Sequence, residues 1–205
     1  MYRFSGFVRD LLQMKRVLFI STAVFILGIY LGTVGSDALH HFLTSQISGL
    51  SEISKQLEKS RHQELSFFLF IFFNNAIKGV LIIFLGALFG ILPLFFLLVN
   101  GMVIGFVVKM TVDGGADLSD LIIKGLLPHG IIEIPTILIA CAYGLQLGGL
   151  VFRSMGSLFQ SEKRALIGSE WGQFMMRAGR ASIWIVVLMC IAAIIESTLT
   201  YHLLR

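Results

Sequence analysis

Five apolar stretches, each long enough to cross a bilayer as a helix, constrain this chain more than any other feature. They cover residues 17–35, 66–88, 91–112, 130–152 and 181–202. The hydrocarbon core of a membrane is about 30 Å thick and a helix rises about 1.5 Å per residue, so roughly 20 apolar residues suffice. Within lipid every backbone N–H and C=O must find a partner inside the protein, and a helix pairs them within its own segment. Of the 205 residues, 56% are hydrophobic and 14% charged, with a mean hydropathy of +0.87. That is more apolar surface than a soluble domain of this size can bury. The expected fold is all-α: a polytopic integral membrane protein of five transmembrane helices with amphipathic interfacial helices, in one membrane domain.

The formal net charge is +4. Its basic residues flank the apolar runs instead of forming a separate patch, which points to membrane topology and not to nucleic acid. Residues 1–16 carry Arg3, Arg9, Lys15 and Arg16 against one acid, Asp10, with Phe4, Phe7, Val8, Leu11 and Leu12 at roughly helical spacing. This predicts a basic amphipathic arm on the cytoplasmic surface. The run that follows lacks a small-x-small cleavage site, so it is read as an anchor and not as a signal peptide. Cys141 and Cys190 fall inside spans, which argues against a disulfide framework.

Lys and Arg also orient the chain. Residues 1–16 hold four and the 153–180 connection holds five, whereas the 36–65 segment has three, offset by Glu52, Glu58 and Glu64. The positive-inside rule then places the N-terminus in the cytoplasm and the C-terminus outside. Segment 36–65 becomes an external amphipathic helix with a stripe at Leu39, Leu43, Ile47, Leu50, Ile53 and Leu57. Leu43, Leu50 and Leu57 are candidates for a docking or dimerisation surface; the alternative is packing on lipid or on the spans. Segment 113–129, too short and polar to span, is expected to be external and re-entrant or interfacial.

Polar residues inside the spans need a reason. The second span holds Asn74, Asn75 and Lys78, the third Asn100, and the last Glu196. A lysine near mid-bilayer costs about 2.5–3.5 kcal/mol on insertion scales unless paired or hydrated, so Lys78 is expected to point inward. His129 and Glu133, in Leu127-Pro128-His129-Gly130-Ile131-Ile132-Glu133-Ile134-Pro135, sit four residues apart on one helix face, and Pro135 weakens the ladder one turn further on. Counting from the outer surface puts Glu133 and Glu196 at roughly 8 Å, Asn74 at about 12 Å, and Lys78 and Asn100 at about 18 Å. The cluster is either a structural hydrogen-bond network or a pocket for an ion, proton or ligand. His129, Glu133 and Glu196 could hold zinc or another divalent metal, with water, His40, His41 or a second chain completing the shell. Alternatively, Glu133 neutralises Lys78.

Four G-x-x-x-G pairs, Gly28/Gly32, Gly86/Gly90, Gly101/Gly105 and Gly144/Gly148, predict close helix packing without saying whether the neighbour belongs to the same chain or to a homo-oligomer. Asn74-Asn75, Asn100-Gly101 and the Pro128-His129-Gly130-x-x-Glu133-x-Pro135 block followed by Gly144 and Gly148 resemble the stage II sporulation protein M family. The resemblance covers nearly the whole chain and implies a five-span protein of the bacterial cell membrane. It further implies a role in engulfment as the membrane partner of two peptidoglycan-degrading proteins.

No enzyme motif accompanies it. His129 and Glu133 do not form H-E-x-x-H, and neither a Walker loop nor G-x-G-x-x-G occurs. The expected function is a non-catalytic membrane scaffold or regulator that anchors peptidoglycan hydrolase proteins, with lipid as its surroundings. The alternative is a subunit of an ion- or metal-dependent transporter, suggested by intramembrane polar residues and a proline-interrupted helix.

Overall fold

The computed structural model describes residues 3–120, 122, 127–157 and 161–200, which include an all-α bundle with five helices long and apolar enough to cross a membrane. α1 (Phe4–Gln13) and α2 (Lys15–Val34) are almost continuous, separated at Met14, whose N–H still reaches the Leu11 carbonyl. α3 (Asp37–Glu58) is amphipathic, and α4 (Gln63–Leu85) returns across the bundle. A tight turn leads to α5 (Ile91–Asp113). The single turn α6 (Leu118–Asp120) precedes α7 (Leu127–Gly156) and α8 (Ser161–Ile195), and α8 ends in a π-helical turn, Glu196–Thr200. Residues 121 and 123–126 of the expected re-entrant segment lie outside the described residues.

The turn between α4 and α5 puts Phe89 at φ 56° and Gly90 at φ 75°. Gly90 adopts that left-handed geometry at little cost, whereas a bulky residue such as Phe89 gives up about 1–2 kcal/mol there. The Phe89 ring meets the edge of Phe152 at 6.3 Å, which helps to hold it. Pro93 lies in the first turn of α5, where its missing N–H would have had no helical partner.

The glycine motifs pair with one another inside this one chain. Gly28 and Gly32 of α2 lie against Leu98, Gly101 and Met102 of α5, and Gly105 lies against Ile29. Gly86 faces Gly144, and Gly90 faces Gly148. Contacts advance together along both partners, so α2 runs parallel to α5 and α4 parallel to α7. A Cβ added at Gly28, Gly32, Gly86, Gly101, Gly105, Gly144 or Gly148 would collide with backbone, which cannot move aside as a flexible side chain can.

α7 is the central helix and touches α2, α4, α5 and α8. Its run Ala140, Cys141, Ala142 and Tyr143 is fully buried, joined in the core by Ile83, Leu97, Ile185 and Met189. At the opposite extreme Phe19 is 74% exposed, as a lipid-facing side chain should be. α8 starts well before the expected position 181: residues 161–180, read from sequence as a connection, are helical and continuous with the last span. Its 35 residues reach about 52 Å, longer than a bilayer core is thick. Near its start the Trp171 indole donates to Ser154 Oγ of α7 at 2.9 Å, and Arg153 pairs with Glu170 at 3.0 Å.

Candidate functional site: an intramembrane polar cavity

Parallel packing of α4 on α7 brings the second-span asparagines to the opening block of α7. Asn75 and Glu133, Gly86 and Gly144, and Gly90 and Gly148 are each separated by 58 residues, so one register sets both the polar contact and the glycine contacts. The Asn75 side-chain amide donates to Glu133 Oε1 at 3.0 Å, and the Asn74 amide donates to Asn75 Oδ1 at 3.2 Å. An amide-to-carboxylate bond is charge-assisted, and it is stronger still where water is excluded. It also places Glu133 level with Asn75, below the depth expected from counting along its own span.

Beside this chain of bonds lies a cavity of about 480 Å³, lined by Asn75, Lys78, Asn100 and Glu133 together with apolar side chains of α5, α7 and α8. Gly49 and Ile53 of α3 close over it. Four of the expected intramembrane polar residues therefore share one space. The Asn100 amide donates back to the Phe96 carbonyl at 2.7 Å, one turn earlier on α5, which leaves its own carbonyl oxygen as an acceptor.

Lys78 departs from expectation. It is exposed, lining the cavity on one side and, on the other, a groove along the outer face of α4 with Leu69, Phe70, Phe73, Asn74 and Ile77. It does not point simply inward, because its helix stands at the rim of the bundle. Among the described residues no carboxylate lies within ion-pair distance of it, so the expected neutralisation by Glu133 is not the arrangement found.

Glu196 opens the π-helical turn, which packs on α4 and α7, but it does not line the cavity. The His129 side chain lies outside the described residues. Among the described residues no three His, Cys, Asp or Glu side chains gather as a metal would need.

The α3 stripe also divides differently from its sequence reading. Leu43, expected on a docking surface, is fully buried with Met102 and Phe106 of α5, because this turn of α3 lies against the bundle. Leu57 is half-buried, and the Leu50 side chain lies outside the described residues. Phe42 and Ile53 are the exposed apolar residues of α3 among those described.

Residues 21–201 match the family of stage II sporulation protein M. The chain belongs to that family. The role of stage II sporulation protein M is membrane scaffolding linked to the engulfment machinery of sporulation, and the family is not enzymatic. No curated protein and no solved structure matches the chain.

One polar site of this stage II sporulation protein M family member escaped the sequence reading. Asp10 of α1 is 4% exposed, with Arg180 Nη1 at 2.7 Å from Oδ2 and Arg177 Nε at 3.8 Å from Oδ1. Phe4 and Phe7 pack on Trp184 one turn further along α8. Asp10 precedes the matched region, whereas both arginines fall within it. The signal available in sequence was the single acid of an otherwise basic arm.

Proposed function

We propose that this chain is a multi-pass scaffold that presents an external helical surface to peptidoglycan hydrolase proteins, with its N-terminus in the cytoplasm and its C-terminus outside. The observation that carries the reading is α3, a 22-residue amphipathic helix anchored through Leu43 and bearing exposed Phe42, Glu52 and Ile53. Such a helix offers its exposed side chains to another protein. The clasp of Asp10 to Arg177 and Arg180 supports the orientation, since it gathers two basic segments at the end of the bundle away from α3.

The test is capture of wall hydrolases from solubilised membranes. Phe42→Ser is expected to lower their recovery by about tenfold, equal to 1.4 kcal/mol, while the variant inserts normally. Leu43→Ser is expected to reduce the amount of folded protein instead, because it opens the α3 and α5 contact. Equal hydrolase recovery with wild type and with a folded Phe42→Ser, Ile53→Ser double variant would remove α3 as the docking surface. The metal reading of His129, Glu133 and Glu196 is tested separately by elemental analysis of wild type and Glu133→Gln.

A further inference from the structure

We propose that the outer face of α4 is a docking site for one transmembrane helix of another protein, a helix that carries a carboxylate at the level of Lys78. Lys78 is exposed, and it stands about 22 Å along α4 from Gln63 and about 10 Å from Leu85, which places it within the hydrocarbon. Helical side chains lean toward the N-terminus of their helix. Lys78 accordingly lines a groove with Leu69, Phe70 and Asn74, and so leans away from the nearer end of α4. Snorkelling to that nearer surface is closed to it. Among the described residues no carboxylate lies within ion-pair distance of its ammonium. A cation at this depth requires a polar partner.

The chemistry of the missing partner follows from what the face offers. Asn74 sits one turn before Lys78; it gives one amide proton to Asn75 and keeps a second. An ammonium and an amide proton four residues apart share one side of the helix, and a single carboxylate can accept from both. In a medium of low dielectric that charge-assisted pair is far stronger than it would be in water.

The shape of the face suits a helix. Phe73, Ile77, Leu81 and Phe84 are all exposed at spacings of four and three, which makes one stripe about 16 Å long. A groove runs on each side of the Phe73 and Ile77 ridge, with volumes of about 630 and 410 Å³. Ridges flanked by grooves are what a second helix packs into. Acyl chains can fill the grooves but have no acceptor for Lys78, and lipid phosphates lie at the two surfaces. A second copy related by a two-fold axis along the membrane normal would bring Lys78 toward its own equivalent, cation to cation. Its Glu196 is at the wrong level: Gly79 lies against Ile185 and Met189, and Glu196 is two turns beyond Met189.

A defined probe tests the site: a leucine-rich, single-span peptide with one central Glu, compared with the same peptide carrying Gln or Leu there. Association with the purified full chain is read by energy transfer in phosphatidylcholine vesicles. The Glu peptide is expected to bind about tenfold more tightly than the Leu peptide, and the Gln peptide less tightly than the Glu peptide. Lys78→Leu should abolish the preference and Lys78→Arg should keep it, with melting temperatures confirming that both are folded. Equal binding of the three peptides to the wild-type chain overturns the proposal whether or not either variant folds, as does a preference unchanged in a folded Lys78→Leu. Disulfide-linked dimers formed by an Ile77→Cys variant in membranes would assign the face to a second copy and overturn it too. The inference does not depend on α3, and hydrolase capture reads that surface separately, so either conclusion can fail alone.

Discussion

Asp10 and Glu133 are both carboxylates in largely apolar surroundings, yet they are handled differently. Glu133 takes an uncharged amide from Asn75, while Asp10 faces two guanidinium groups. Breaking a buried ion pair is costly because the partner left behind is desolvated and uncompensated. The Asp10 side chain is 5% exposed, against 16% for Arg180 and 29% for Arg177, so the carboxylate is the worse group to strand. Arg180→Met is therefore expected to destabilise by about 3 kcal/mol and Asp10→Asn by less, roughly 1–2 kcal/mol, because both arginines can rehydrate. Thermal unfolding in detergent checks the ranking; an Asp10→Asn variant less stable than Arg180→Met would contradict this account of the clasp.

At the scale of helices, glycine has two opposite meanings in this chain. Gly86 lies so close to Gly144 that an added methyl would overlap backbone, whereas Gly172 of α8 has nothing within 4 Å of where a Cβ would sit. Gly86→Ala should separate α4 from α7, break the register that joins Asn75 to Glu133, and cost about 3 kcal/mol or more by overpacking. Gly172→Ala should stabilise by about 0.5–1 kcal/mol, since it removes only the conformational freedom of glycine from a helix interior. Fluorescence-detected size exclusion after a temperature series measures both. A similar response of the two variants would show that the close approach of α4 and α7 is not a determinant of stability.

Across the whole molecule, one pattern appears twice. α2 runs up beside α5 and α4 runs down beside α7, so the first pair of spans stacks on the next pair. α8 completes the bundle against α4 and α7. This arrangement separates an end that carries α1 and the basic part of α8 from an end that carries α3. Cysteines introduced at Ser54 and Thr200 should react with an impermeant thiol reagent in intact cells, and one at Ser161 should not. Reaction at Ser161 alone would invert the proposed orientation while leaving the fold as it is.

What the sequence determined by itself is what the bilayer demands locally. The spans, the amphipathic α1 and α3, and the small-residue motifs were legible because backbone pairing in lipid must be satisfied within each helix and side-chain periodicity follows from the helix alone. The family motifs were legible for the same reason, as short patterns at fixed spacing. Tertiary structure decided which glycine motif meets which, that Asn75 rather than Lys78 holds Glu133, that Leu43 faces the bundle, and that the lone acid of the N-terminal arm is a buried partner of α8. Each of these depends on the register and facing of two helices distant in sequence. Close packing sets that register collectively, through the volumes of all the side chains and glycines along the contact, and no single stretch of the chain contains it.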